Sequence, residues 1–121
     1  MNNMKSLFSS MIILLFIGFS AQAQNSVNVT GTWVMEVKTD AGSGSPTFVL
    51  KQDGEKITGT YTGQLGDSQV TGTIKGKVIH LEFSIQGNRI TYDGTATSTD
   101  MEGKVDLAEM ASGTFTGKKK P

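Results

Sequence analysis

The sequence predicts an all-β fold, an eight-stranded antiparallel up-and-down β-barrel, with a two-sheet β-sandwich as the alternative. Three observations carry this. From residue 24 onward no segment shows an apolar stripe at helical spacing, whereas period-two alternation recurs in eight runs. The stretches between the runs are mostly hairpin-length and rich in Gly, Asp, Asn and Ser. Each run presents one apolar face, and with no helix to cover it the sheet must close or fold onto itself. Full closure also removes exposed strand edges, which favours the barrel.

The chain's first 23 residues stand apart from this pattern. Lys5 gives a weakly basic start, Met11 to Phe19 is continuously apolar, and Ala21-Gln22-Ala23 offers a small-x-small cleavage site before Gln24. The apolar run is shorter than the roughly 20 residues of a membrane-spanning helix. Residues 1–23 therefore read as a signal peptide cleaved near Ala23, with no membrane span. The chain is expected to be exported, periplasmic or secreted. Residues 24–121 are one β-barrel domain. The chain contains no cysteine, which excludes disulfides, thiol catalysis and cysteine metal sites. Eleven basic and eleven acidic residues balance to a formal charge of zero, so nothing steers it toward nucleic acid. Lys118-Lys119-Lys120 reads as a solvated tail beside the C-terminus.

The eight runs span 29–38, 46–52, 56–63, 68–75, 77–85, 89–97, 101–107 and 112–118. Asp53-Gly54 and Gly87-Asn88 are tight-turn signals, and Gly76 suits a positive φ. The longest connection, Asp40 to Ser45, is the expected mobile lip at one end. Alternation puts Trp33, Met35, Val37, Phe48, Leu50, Ile57, Tyr61, Val70 and Ile74 on the inner face. It continues with Ile79, Leu81, Phe83, Ile85, Ile90, Tyr92, Met101, Val105 and Phe115. Charged residues such as Glu36, Lys56, Glu82 and Lys104 fall outside, with many threonines.

TGTYTG (58–63) is almost repeated as TGTIKG (71–76), and glycine recurs beside a larger inner residue at Gly31, Gly59, Gly72, Gly94, Gly103 and Gly113. Inward glycines let strands bend and free volume beside large neighbours. Outward threonines, β-branched, favour extended backbone in compensation.

A small eight-stranded barrel is either filled by side chains or holds one small ligand. In the hollow case the ligand-binding residues are Trp33, Tyr61, Tyr92, Phe48 and Phe83. One indole and two phenols suit a small, largely apolar molecule. In the filled case Trp33 sits near a closed end and the two tyrosine hydroxyls reach the rim. No catalytic residues are expected. His80 is the only histidine and alternates outward, and no carboxylate falls on the inner face. No spacing matches a metal loop, so no cofactor or metal is expected. The outward threonines, Thr58, Thr60, Thr62, Thr71, Thr73, Thr95, Thr97, Thr99, Thr114 and Thr116, support a second role. That role is a structural or interaction module acting through this outer face or the end loops, against another exported protein or a polysaccharide surface.

Gly31-Thr32-Trp33 resembles the Gly-x-Trp opening of the calycin barrels, which include lipocalins, fatty-acid-binding proteins and avidins. Thr47-Phe48 and Ile57-Thr58-Gly59-Thr60-Tyr61 are similar to avidin segments, whose tyrosine helps bind the ureido group of biotin and would correspond to Tyr61. Trp33 is the only tryptophan, however, and Val34-Met35-Glu36-Val37 stands where avidins place early polar ligands, so biotin is not implied. Across 29–117 the glycine–threonine pattern also resembles small exported bacterial proteins of unassigned function. The resemblances imply a lipocalin-like barrel.

Overall fold

Trp33, Met35 and Val37 alternate inward along the first strand, which the rest of the sheet builds on from both sides. The computed structural model describes residues 27–108 and 110–121. The expected signal peptide lies outside the described residues. The strands are β1 (Gly31–Thr39), β2 (Gly42–Gly44), β3 (Thr47–Asp53), β4 (Lys56–Gly63) and β5 (Gly66–Lys75). They continue with β6 (Val78–Ile85), β7 (Asn88–Ala96), β8 (Asp100–Leu107) and β9 (Ala111–Lys119). All pairings are antiparallel between chain neighbours, and β1 also pairs with β9 from Trp33↔Lys119 to Thr39↔Gly113. That last ladder closes the sheet into an eight-stranded barrel, not a sandwich.

The ninth strand is a fragment of the second. Val37↔Gly44 and Val34↔Thr47 belong to one register along β1, so β2 and β3 are one strand interrupted at Ser45-Pro46. The Met35 amide donates to the Pro46 carbonyl across the break at 3.0 Å. The expected lip from Asp40 to Ser45 is therefore corrected to a two-residue turn, Asp40-Ala41, followed by paired strand. Thr39 sets that turn: its hydroxyl accepts from the Ala41 amide at 3.1 Å and donates to the Gly42 carbonyl at 3.0 Å. Glycine and serine gave this segment a loop composition, but pairing to β1 overrides it. The basic cluster is corrected likewise, since β9 runs through Lys119 and Lys118 pairs with Asp100 at 2.8 Å.

The turns fall at two ends. Asp40-Ala41, Gln64-Leu65, Gln86-Gly87 and 108–110 lie at one; Gly54-Glu55, Gly76-Lys77, Thr97–Thr99 and both flanking segments lie at the other. Gln86 and Gly87 both adopt positive φ, +55° and +83°, as a primed two-residue hairpin turn requires.

Every large side chain assigned inward is buried except Ile85, which is half-buried against the core. Each large side chain withdrawn from water contributes about 1.5–3 kcal/mol. The first strand begins two residues later than expected, because Val29 crosses the end of the barrel instead of extending β1. Its amide donates to Gln52 Oε1 at 2.9 Å and its carbonyl accepts the Trp33 indole N–H at 2.9 Å. Val29 and Trp33 are fully buried, so this end is closed.

The inward glycines have a more specific cause than spare volume. A Cβ on Gly59, Gly72, Gly94, Gly103 or Gly113 would overlap the backbone carbonyl oxygen of Val49, His80, Glu102, Asp93 or Lys38 respectively. Each of those oxygens belongs to the adjoining strand. Backbone cannot swing aside as a flexible side chain can, so these positions require glycine. Gly63 and Gly117 differ, meeting the side chains of Tyr61 and Met35.

Gly94→Ala and Gly113→Ala should each cost about 2 kcal/mol or more, lowering the melting temperature by roughly 10 °C. Gly44→Ala, whose Cβ would meet only Gln64 atoms at 3.6 Å and beyond, should change it by no more than a few degrees. Thermal unfolding followed by circular dichroism checks the contrast; equal effects at the three positions would contradict it.

Candidate functional site

The core beneath the open end is built from aromatic rings. Phe48 meets Tyr61, Phe83 and Tyr92 edge-on with centroids 5.3, 5.8 and 5.1 Å away. Tyr61 stacks on Phe83 at 4.3 Å, and Tyr92 leans on Phe115 at 4.9 Å. Edge-to-face and offset contacts of this kind favour a fixed arrangement over a fluid one. The barrel axis at this level is protein.

Above the rings lies a pocket of about 140 Å³. Tyr61 and Tyr92 form its floor, Val37 and Leu107 one wall, and Gln64 and Leu65 another, while β2 with Ser45 and Pro46 closes the remaining side. Such a volume matches a single aromatic ring, about that of an engineered cavity that takes benzene. No charged side chain lines it. Gly63 makes the Tyr61 position possible, because a Cβ there would lie 2.5 Å from the hydroxyl oxygen and 3.0 Å from Pro46. Burial pushes the Tyr61 phenol above its ordinary pKa, and the Leu65 backbone amide facing the oxygen pulls it partly back. Burial raises Tyr92 further, and the neighbouring Tyr61 adds to the rise. Both phenols thus hold their protons at neutral pH.

Of the five ligand-binding residues expected, the structure brings Tyr61 and Tyr92 to the pocket. Phe48 and Phe83 pack against their rings without lining the pocket, and the Trp33 indole turns to Val29 at the closed end. Leu65, Leu107, Gln64 and Pro46 were not foreseen. A signal for Leu65 was present: the turn stretches QLGD and AEMA each contain an apolar residue that turn chemistry does not need. Leu65 is 48 % exposed and Met110 70 %, both at the open end, whereas the closed-end turns carry Glu55, Lys77 and Ser98.

The described residues contain no group of His, Asp and Glu able to hold a metal ion, and no helix long and apolar enough to cross a membrane.

Known structures share this architecture. The redesigned β-barrel mFAP0, solved bound to DFHBI, superposes with a TM-score of 0.56 at 14 % identity, covering 75 % of this chain and 98 % of its own. The redesigned barrel mFAP1, also bound to DFHBI, gives 0.55 at 12 % identity over 76 % and 94 %. Fatty-acid-binding protein 1 of Echinococcus granulosus gives 0.46 at 11 % identity over 76 % and 97 %. No protein-family model and no curated protein sequence matches the chain. At such identities the likeness to the redesigned barrels establishes the fold alone.

His80 lies outside, as alternation requires, but it is not isolated. Its Nδ1 meets Asp93 Oδ1 at 2.5 Å on the paired strand β7, and its Nε2 meets Glu82 Oε1 at 3.0 Å. Arg89 Nη2 donates to the same Glu82 oxygen at 3.0 Å. Hydrogen bonds to Glu82 and then Asp93 raise the His80 pKa, against a smaller opposing effect of burial. Bonds from His80 and Arg89 hold the Glu82 carboxyl below its usual range. Both imidazole nitrogens are engaged with carboxylates, which suits a cross-strand clamp and leaves no free base.

The raised His80 pKa gives a signed prediction. Its contribution to stability is fully present below about pH 6.5, the unfolded value, and is lost as pH rises through the higher folded value. Denaturant unfolding should therefore show the protein less stable at pH 9 than at pH 6, with His80→Gln flattening that difference. An unchanged pH profile in the variant would contradict the clamp.

Proposed function

We propose that the chain is an exported, non-catalytic, lipocalin-like barrel that binds one small, largely apolar molecule at its open end. The observation that carries this is the pocket of about 140 Å³ floored by two tyrosine hydroxyls and otherwise walled largely by apolar groups. Concave, mainly apolar sites with few convergent polar groups are the usual form of small-molecule sites. That two barrels of the same architecture are solved bound to DFHBI supports a ligand role. In this reading Tyr61 and Tyr92 touch the ligand, Phe48 and Phe83 form the rigid bed under it, and Trp33 anchors the closed end. The pocket lacks an acid–base pair, and His80 is committed to exterior carboxylates, so the proposed role is binding without catalysis.

A second reading has its own observation. Thr58 faces Thr71 directly across β4 and β5, and a shallow outer groove there is bounded by Lys56, Thr73 and Lys75. An exported protein or polysaccharide partner would use this face.

Titration of the protein with toluene, followed by ¹H–¹⁵N chemical shifts, separates the readings. Mouth binding predicts shifts concentrated at Val37, the Asp40–Ser45 segment, Gln64, Leu65 and Leu107. Shifts centred on Trp33 and Val29, or none at saturating toluene, would contradict it. The outer-face reading predicts instead that Thr58→Lys with Thr71→Lys abolishes partner association while Tyr92→Phe leaves it intact.

A further inference from the structure

We propose that the mouth selects a neutral, single-ring-sized molecule carrying a hydrogen-bond acceptor, such as an aryl ketone or lactone, through the hydroxyls of Tyr61 and Tyr92. This rests on the mouth-site reading above and names the chemistry that reading leaves open.

Tyr92 supplies the main argument. It is only 3 % exposed, and its hydroxyl has no hydrogen-bond partner from the protein among the described residues. No sealed side-chain oxygen or nitrogen among those residues lacks a partner, so the Tyr92 oxygen must open onto the pocket its side chain lines. With no partner from the protein, this phenol keeps its O–H free for whatever occupies the pocket, water when it is empty or an acceptor on a bound molecule. Tyr61 presents the same group from β4. The Leu65 amide faces its oxygen, which leaves the O–H proton as the group's remaining capacity. The floor thus offers two neutral donors.

The walls decide the rest. Val37, Pro46, Leu65 and Leu107 favour an apolar body, and the volume limits it to about one ring. No cationic side chain lines the pocket, so a carboxylate entering it would lose hydration without gaining a counter-charge. With no carboxylate in the lining, an ammonium would meet only neutral acceptors and would lose hydration without gaining a counter-charge. An acceptor on an uncharged ring satisfies both requirements.

The test compares acetophenone, its hydrocarbon isostere α-methylstyrene, and benzoate, each titrated into the intact protein at pH 7 with ¹H–¹⁵N shifts as readout. Wild type, Tyr61→Phe and Tyr92→Phe are measured, with thermal melts confirming that each variant is folded. Acetophenone should bind about tenfold tighter than α-methylstyrene, with benzoate weakest. Tyr92→Phe should remove most of the acetophenone preference while leaving α-methylstyrene within about twofold. Equal wild-type affinities for acetophenone and α-methylstyrene, a preference unchanged in both variants, or benzoate binding tightest would overturn the acceptor inference and leave the mouth site standing. No mouth shifts with any of the three probes would overturn both.

Discussion

Five backbone carbonyls, on β1, β3, β6, β7 and β8, occupy the space where a neighbouring residue's Cβ would lie, and much of the structure depends on that contact. It is possible only because Gly59, Gly72, Gly94, Gly103 and Gly113 have no side chain. Gly94 and Gly103 face each other directly across β7 and β8, so the constraint is reciprocal there. The glycines alternate with Tyr61, Val70, Tyr92, Val105 and Phe115, so every close backbone approach sits beside a large inward group. Eight strands give an interior just wide enough for side chains. With those side chains interleaved against glycine, the interior is filled.

Filling moves the available space to one end. Val29 and Trp33 seal the other, tied by the indole N–H to a backbone carbonyl. At the open end the strand formed by β2 and β3 is interrupted at Ser45-Pro46 and β4 ends at Gly63, and Ser45, Pro46, Gln64 and Leu65 line the pocket beside Tyr61. The two tyrosines therefore serve two purposes. Their rings complete the aromatic core, and their hydroxyls are the polar content of the pocket floor.

Much of the fold was legible because period-two alternation reports directly on facing. Trp33, Phe48, Leu81 and Phe115 could be placed inward from their neighbours alone, and the burial agrees. The doubling of TGTYTG and TGTIKG was also readable as architecture. Its finer cause was not, since a carbonyl over Gly59 or Gly72 depends on cross-strand register. The same limit explains Asp40–Ser45: Gly and Ser look like loop until β1 is known to pair with them. At the site, two of five expected residues reach the pocket because facing was known but height along the axis was not. Trp33 and Tyr61 share the inner face and one cross-strand row through Phe48, yet the Trp33 indole turns to Val29 and only Tyr61 lines the pocket. Leu65 and Leu107 depend on which turns gather at the mouth, a property of closure and not of local pattern.

Xenon pressurised into crystals of the protein tests the filled barrel most directly, because it enters apolar space wherever such space exists. A filled interior predicts a xenon site confined to the mouth, against Tyr61, Leu65 and Leu107. Xenon on the axis among Trp33, Met35, Leu50 and Leu81 would show a hollow barrel and contradict the glycine-imposed packing.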